Sequence, residues 1–256
     1  MSESVAIVTG ASSGIGKATA LRLACDFTNV VIVARAGEQL SAVAEKIRTI
    51  GSTPLAVELD LMDATAGDIL VKRVLDRFGR IDALLNIAGA VPGLDIFQMT
   101  DEQWHAGLEL KFHGARRLTI AAWQALKSSK GAVVFTSGTA AEIPKPAAAA
   151  VGSINAGIEA LAKAFAERGI EDGVQVNSVS PGAIMTGRRL AMLEKAAAIK
   201  GVSIEQAKEG FLRQAGIARF GEADEIAEVM AFAVSPAARW MTGTVLRVDG
   251  GEVKSV

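Results

Sequence analysis

The chain contains no tyrosine, so no phenol is available to carry a proton at a reacting oxygen. It has a single cysteine, Cys25, which excludes an internal disulfide and fits a reducing compartment. The two histidines, His105 and His113, form no cluster with cysteines at metal-ligand spacing, so no metal site is expected. A net charge of −1 leaves no basic surplus for a nucleic acid or a membrane surface. No apolar run is long enough to span a bilayer, and Met1-Ser2-Glu3-Ser4 carries neither the basic nor the apolar region of a signal peptide. The expected location is the cytoplasm.

Half of the 256 residues are hydrophobic, enough for the core of one large α/β domain spanning 1–256. Its organising stretch is Val5-Ala6-Ile7-Val8-Thr9 followed by Gly10-Ala11-Ser12-Ser13-Gly14-Ile15-Gly16. The first part reads as a buried strand. A glycine turn and a helix from about Lys17 follow, an arrangement that aims backbone N–H groups and a positive helix end at a phosphate. Gly10 permits the tight turn, Gly14 lets backbone approach a pyrophosphate, and Gly16 lets the helix pack close to the strand. The spacing is G-x-x-x-G-x-G, which differs from the G-x-G-x-x-G of the older dinucleotide fingerprint.

Further strands are expected at Val30–Val33, Pro54–Leu59, Ile81–Ile87, Ala132–Thr136, Val174–Val179 and Thr244–Val248. Helical patterns separate them. One stops at Gly51, a C-cap signal, and one opens at Thr100-Asp101-Glu102-Gln103 with a capping-box pattern and runs to about Lys127. This alternation predicts a doubly wound, Rossmann-like parallel sheet of seven strands in a single α/β domain. The stretch 187–214 is helical in pattern and interrupts the alternation after the sixth strand, at the edge where such sheets bind ligands. It reads either as a substrate lid or as an extra packing pair. Met185, Met192, Leu193 and Phe211 there suit an apolar pocket or a core equally.

Five motifs in order resemble the short-chain dehydrogenase/reductase family over nearly the whole chain. They are Thr9–Gly16; Asn86-Ile87-Ala88-Gly89; Val176–Gly182 with Thr186; Arg219-Phe220-Gly221; and Thr242-Gly243 with Val248-Asp249-Gly250-Gly251. The resemblance implies a nicotinamide dinucleotide across the strand ends and assembly as a homodimer or homotetramer. It places Gly10, Ser13 and Ile15, with Gly14 and Gly16, along the pyrophosphate and Asp60 and Leu61 beside the adenine. Asn86, Ala88 and Gly89 fall near the ribose and nicotinamide end, bordered by Pro181, Gly182 and Thr186. At the end of the second strand Ala34 supplies no carboxylate for a ribose 2′-hydroxyl, and Arg35 follows. An arginine fork suits a 2′-phosphate, which favours NADP, with NAD as the alternative and Arg35 as an ordinary surface cation in that case.

The resemblance also implies four catalytic positions: a serine after the fifth strand, a tyrosine and a lysine one turn apart on the next helix, and an asparagine on the long helix before. Aligning Ala156-Gly157-Ile158-Glu159-Ala160-Leu161 with the segment that follows the lysine puts Asn155 in the lysine position. Val151 then stands for the tyrosine and Gly138 for the serine. Aligning Trp104 and Gly114 puts Lys111 in the asparagine position. Hydride transfer to a carbonyl needs a proton donor at the developing alkoxide, which neither Val151 nor Gly138 supplies. Lys111 and Asn155 look like an exchange of the family's asparagine and lysine. The Lys111 ammonium is then expected in the space of the usual lysine, as a ribose ligand or a general acid; the alternative is a lysine on a solvated or dimer-facing helix surface. Ser137 and Thr139 are expected to point away and to bond at the strand end. On a regular helix His113 cannot share the face of Lys111. Glu142 and Lys145 lie in the loop over the site.

Three functions fit: an oxidoreductase of a small carbonyl or hydroxyl compound with non-standard groups, a nucleotide-binding sensor or structural subunit without turnover, or a non-redox enzyme on the same scaffold.

Overall fold

A computed structural model describes residues 3–255. Seven parallel strands form one sheet in the order β3-β2-β1-β4-β5-β6-β9. They are β1 (Val5–Thr9), β2 (Asn29–Ala34), β3 (Thr53–Glu58), β4 (Ala83–Asn86), β5 (Ala132–Thr136), β6 (Gln175–Pro181) and β9 (Val245–Val248). A two-stranded ribbon, β7 (Ile184–Met185) with β8 (Gly221–Glu222), lies apart from it. The doubly wound, seven-stranded expectation is met. The five inner strands are buried on both faces because alternate residues feed two different cores. Ile7, Val33, Leu84 and Phe135 meet α3 (Ala66–Phe78), α5 (Ala115–Ser129) and α6 (Ala149–Asp172) on one side. Val8, Ile32, Leu85 and Val134 meet α1 (Gly14–Leu23), α2 (Gly37–Ile50) and α9 (Ala223–Val234) on the other. The edge strand β3 is largely accessible and tolerates Pro54, whose missing N–H would break a ladder further in.

The helix expected as one piece from Thr100 is divided. Its capping box at Thr100 and Gln103 is formed, and α4 (Asp101–Gly107) gives way to a π-helical segment, Leu108–Gly114, before α5. A Cβ at Gly114 would stand 2.8 Å from the Leu61 carbonyl oxygen, so this glycine lets the irregular turn press against the loop after β3. Lys111 is at the centre of the π turn. The 187–214 stretch forms α7 (Gly187–Lys200) and α8 (Ile204–Ala215), which enclose a small core of Ala183, Leu193, Ile217 and Phe220.

The order of strands reverses between β1 and β4, which sets the loops after them side by side. Gly10 turns the chain there with φ +68, and a Cβ on it would lie 3.0 Å from Ala88 Cα. A Cβ on Gly16 would sit 2.2 Å from the Gly10 carbonyl oxygen. Gly16→Ala is therefore expected to lower stability by about 1–3 kcal/mol through overpacking, read as a reduced urea midpoint at an unchanged slope.

Candidate functional site

A cleft of about 580 Å³ opens at the carboxyl ends of β1, β2 and β4. Gly10, Ser13, Gly14, Ile15, Gly16, Arg35, Asp60, Leu61, Ala88, Gly89 and Thr186 all line it. Ser13 precedes α1 in an extended conformation and its hydroxyl does not cap the helix, whose first turn carries no acid. The N–H groups of that turn have no partner within the helix, and the residues bearing them line the cleft. The cradle suits an anionic group.

Thr9 holds the cleft's floor. Its buried hydroxyl accepts from the backbone N–H of Ile87 (2.9 Å) and Ala88 (3.0 Å) and lies 3.3 Å from the Leu85 carbonyl. Arg35 stands exposed at the far rim, 4.0 Å from Asp60 Oδ2, so its fork is free to turn toward a ligand.

Three expected cofactor residues do not line this cleft. Asn86 does not line the cleft: its side chain turns beneath the sheet edge and donates to Thr119 Oγ1 at 3.1 Å, while Ile87 takes the rim. Strand alternation sends Asn86 toward α5. Pro181 and Gly182 line a second, adjoining cavity.

That second cavity measures about 550 Å³ and gathers Lys111, Gly138, Val151 and Asn155, the four aligned catalytic positions. Lys111 is on the wall of both spaces. Its ammonium donates to the Ser137 carbonyl at 3.1 Å and to Asn155 Oδ1. Asn155 in turn donates through Nδ2 to the Gly138 carbonyl at 3.3 Å. Burial, reinforced by the charge of Arg188 and opposed by that of Glu159, lowers the Lys111 pKa to about 8. Lys111 is half-buried between the two spaces, and its ammonium meets Asn155, the residue aligned above with the family's lysine. Glu159, one turn beyond Asn155 on α6, is pushed up by burial.

Gly138 has φ 153 and ψ 153, a region open almost only to glycine. A Cβ there would lie 2.9 Å from Asn155 Nδ2. The position is thus shaped for the absence of a side chain.

Ser137 and Thr139 both bond near the strand end, Ser137 Oγ to the Val179 carbonyl at 3.4 Å and Thr139 Oγ1 to Glu252 Oε2 at 3.2 Å. Contrary to expectation they also contribute to the cavity wall, because the chain leaves the strand at Gly138. Lys145 lines the cavity, whereas Glu142 is drawn off by Arg247 at 2.6 Å. His113 lines neither space and packs edge-on to Phe112. Of the residues in the helical insertion, Met192 and Phe211 face the cavity, and Leu193 joins the small core. The pair α7–α8 thus contributes Met192 and Phe211 to the cavity wall and encloses a small core of its own.

Arg188 and Arg189, also on this wall, were missed. Their signal was in the sequence: two cations in the first turn of a helix, where the dipole disfavours them.

Among the described residues no helix is long and apolar enough to cross a membrane, and no acidic, histidine or cysteine cluster could hold a metal ion. The family profile described as enoyl-(acyl carrier protein) reductase matches residues 10–252. A 3-oxoacyl-[acyl-carrier-protein] reductase of Synechocystis is 35% identical over 252 residues, covering 97% of this chain and 96% of that one. The L-sorbose reductase of Gluconobacter frateurii, crystallised with NADPH and L-sorbose, superposes with a TM-score of 0.94 at 28% identity, covering 100% of this chain and 98% of its own. An NAD+-bound xylitol dehydrogenase superposes at 0.90 with 27% identity, covering 97% and 98%. With the switch-point cleft, the glycine cradle and these full-length likenesses together, the chain belongs to the short-chain dehydrogenase/reductase family of oxidoreductases.

Proposed function

We propose that the protein binds NADP(H) in the first cleft and interconverts a carbonyl and a hydroxyl group in the second cavity, with Lys111 carrying the proton. The observation behind this is the Lys111 ammonium on the wall common to both spaces. The cleft fits the nucleotide by its own geometry: backbone N–H groups at the α1 N-terminus for the diphosphate, Arg35 for a 2′-phosphate, and no carboxylate at Ala34 to oppose one. One solved relative holds NADPH and another NAD+; Arg35 favours the first for this chain. When bound, the nicotinamide supplies or accepts the hydride.

The chain's residues then handle the oxygen. Lys111 Nζ has three protons, two engaged by the Ser137 carbonyl and Asn155 Oδ1, and the third is free for a substrate oxygen. Reduction draws a proton from Nζ; oxidation returns one. Val151 supplies apolar wall where the family has its phenol, and at Gly138 the space of the family's serine is taken by the Asn155 amide. The α7–α8 pair serves as the lid, and the functional unit is a homodimer or homotetramer in a cytoplasmic setting.

A second reading, nucleotide binding without turnover, is favoured by one observation: two of the three ammonium protons are already committed inside the fold. The two separate cleanly. Titration into the parent protein should show NADPH bound more tightly than NADH, and Arg35→Ala should weaken NADPH by about tenfold with little effect on NADH. Equal affinities would overturn the NADP preference. NADPH consumption with a panel of ketones should be highest below pH 8 and fall as the pH rises through about 8, the value of Lys111, since reduction uses the protonated amine. Lys111→Met should abolish turnover in a protein that still melts cooperatively. Tight NADPH binding with no turnover in the parent would establish the second reading. Restoring the family serine by Gly138→Ser should destabilise the fold by about 1–3 kcal/mol, measured by urea unfolding.

A further inference from the structure

The second cavity is lined by four cations, Lys111, Lys145, Arg188 and Arg189, and by one carboxylate, Glu252. The cations differ in how they are held. Lys111 is committed to Ser137 and Asn155. Arg188 donates to the carbonyls of Gly89 and Val91 and reaches the nucleotide cleft as well. Lys145 is an exposed residue of the rim. Arg189 is different. Among the described residues its guanidinium makes no hydrogen bond and no ion pair, and it lines the second cavity without reaching the first. Its backbone N–H is satisfied by Thr186 Oγ1 at 3.3 Å, and its guanidinium lies over the Phe211 ring, 5.0 Å from the centroid.

This placement is costly in two ways. A guanidinium partly withdrawn from water with no carboxylate bonded to it is destabilised, and burial lowers the Arg189 pKa below its ordinary value. Its position in the first turn of α7 adds an unfavourable interaction with the helix dipole. Glu252 favours the charge but bonds to Thr139 Oγ1 and forms no pair with Arg189. An anionic group in the cavity would relieve both costs. The contact with the Phe211 face leaves the guanidinium N–H groups without a partner among the described residues, and such a fork can meet a carboxylate bidentately. Ile143, Ala147, Ala148, Val151 and Met192 give the same cavity its apolar lining.

We infer that the substrate is a small oxo or hydroxy acid with a short apolar body, whose free carboxylate is bound by Arg189 while its carbonyl or hydroxyl oxygen faces Lys111. The inference rests on the carbonyl–hydroxyl reading above for the reacting end; the carboxylate site stands on Arg189 alone. The cavity, at about 550 Å³, lies within the range of small-ligand sites.

The test is a binding measurement that needs no turnover. The 2-, 3-, 4- and 5-oxohexanoates and their methyl esters are titrated by calorimetry into the parent protein, with and without saturating NADP+. At least one acid should bind about tenfold or more tightly than its ester, the difference made by a charge-assisted bidentate contact. Arg189→Met, which retains bulk over Phe211, should erase that preference, and Arg189→Lys should restore part of it. Equal binding of acid and ester throughout, binding of neither, or a preference that survives in a folded Arg189→Met protein would overturn the inference. The comparison within the parent protein holds even if a variant fails to fold. Failure of the nucleotide reading is separately visible: the acid preference would then appear in the absence of NADP+, with no NADP+ binding detected.

Discussion

Everything at the carboxyl edge of the sheet depends on how closely three pieces of backbone approach where β1 ends. Gly10 lies against Ala88, Gly16 lies under the Gly10 carbonyl, and Thr9 ties the loop after β4 to the end of β1. A side chain at either glycine would separate these segments and move the start of α1. The cradle of N–H groups exists only because the helix is drawn in so tightly. The strand order supplies the place, since neighbouring loops diverge at the reversal between β1 and β4 and leave the cleft open.

The second cavity is governed by a different constraint, a cation held in an enclosed setting. Lys111 stands at the centre of a π turn, on the wall of both spaces. Asn155 meets that ammonium with its carbonyl oxygen and the Gly138 carbonyl with its amide nitrogen. Gly138 has no side chain, and the Asn155 amide occupies the room. The three residues therefore form one packed, hydrogen-bonded unit whose substitutions are not independent. Changing any one alone leaves a clash or an unpaired buried group. The unit meets its own polar groups: the Lys111 ammonium, the Asn155 amide and the Gly138 carbonyl are bonded to one another or to Ser137.

Electrostatics separates the whole molecule from its interior surface. A net charge of −1 describes a nearly neutral protein, yet the two adjoining spaces are bordered by Arg35, Arg188, Arg189, Lys145 and Lys111. Carboxylates there are few, and Asp60 and Glu252 hold backbone or hydroxyl partners. A local field of one sign inside low-dielectric walls acts on small anions with little contribution from the distant surface charge.

The sequence by itself determined the seven-strand doubly wound sheet, the glycine cradle and the lack of a tyrosine, because these follow from local pattern and composition. Continuous β-branched runs, glycines at fixed offsets and helix caps act within a few residues of one another. It also placed most of the cleft, since residues next to strand ends lie at the sheet edge whatever the rest of the chain does. Tertiary structure alone decided that Asn86 turns under the edge to Thr119, that Pro181 and Gly182 belong to the second cavity, and that Ser137 and Thr139 share its wall. It also decided that Lys111, 44 residues before Asn155, meets it across the cavity. Which face a side chain takes at the end of an element, and which distant charge it meets there, is set by packing between elements. A linear pattern carries no record of that.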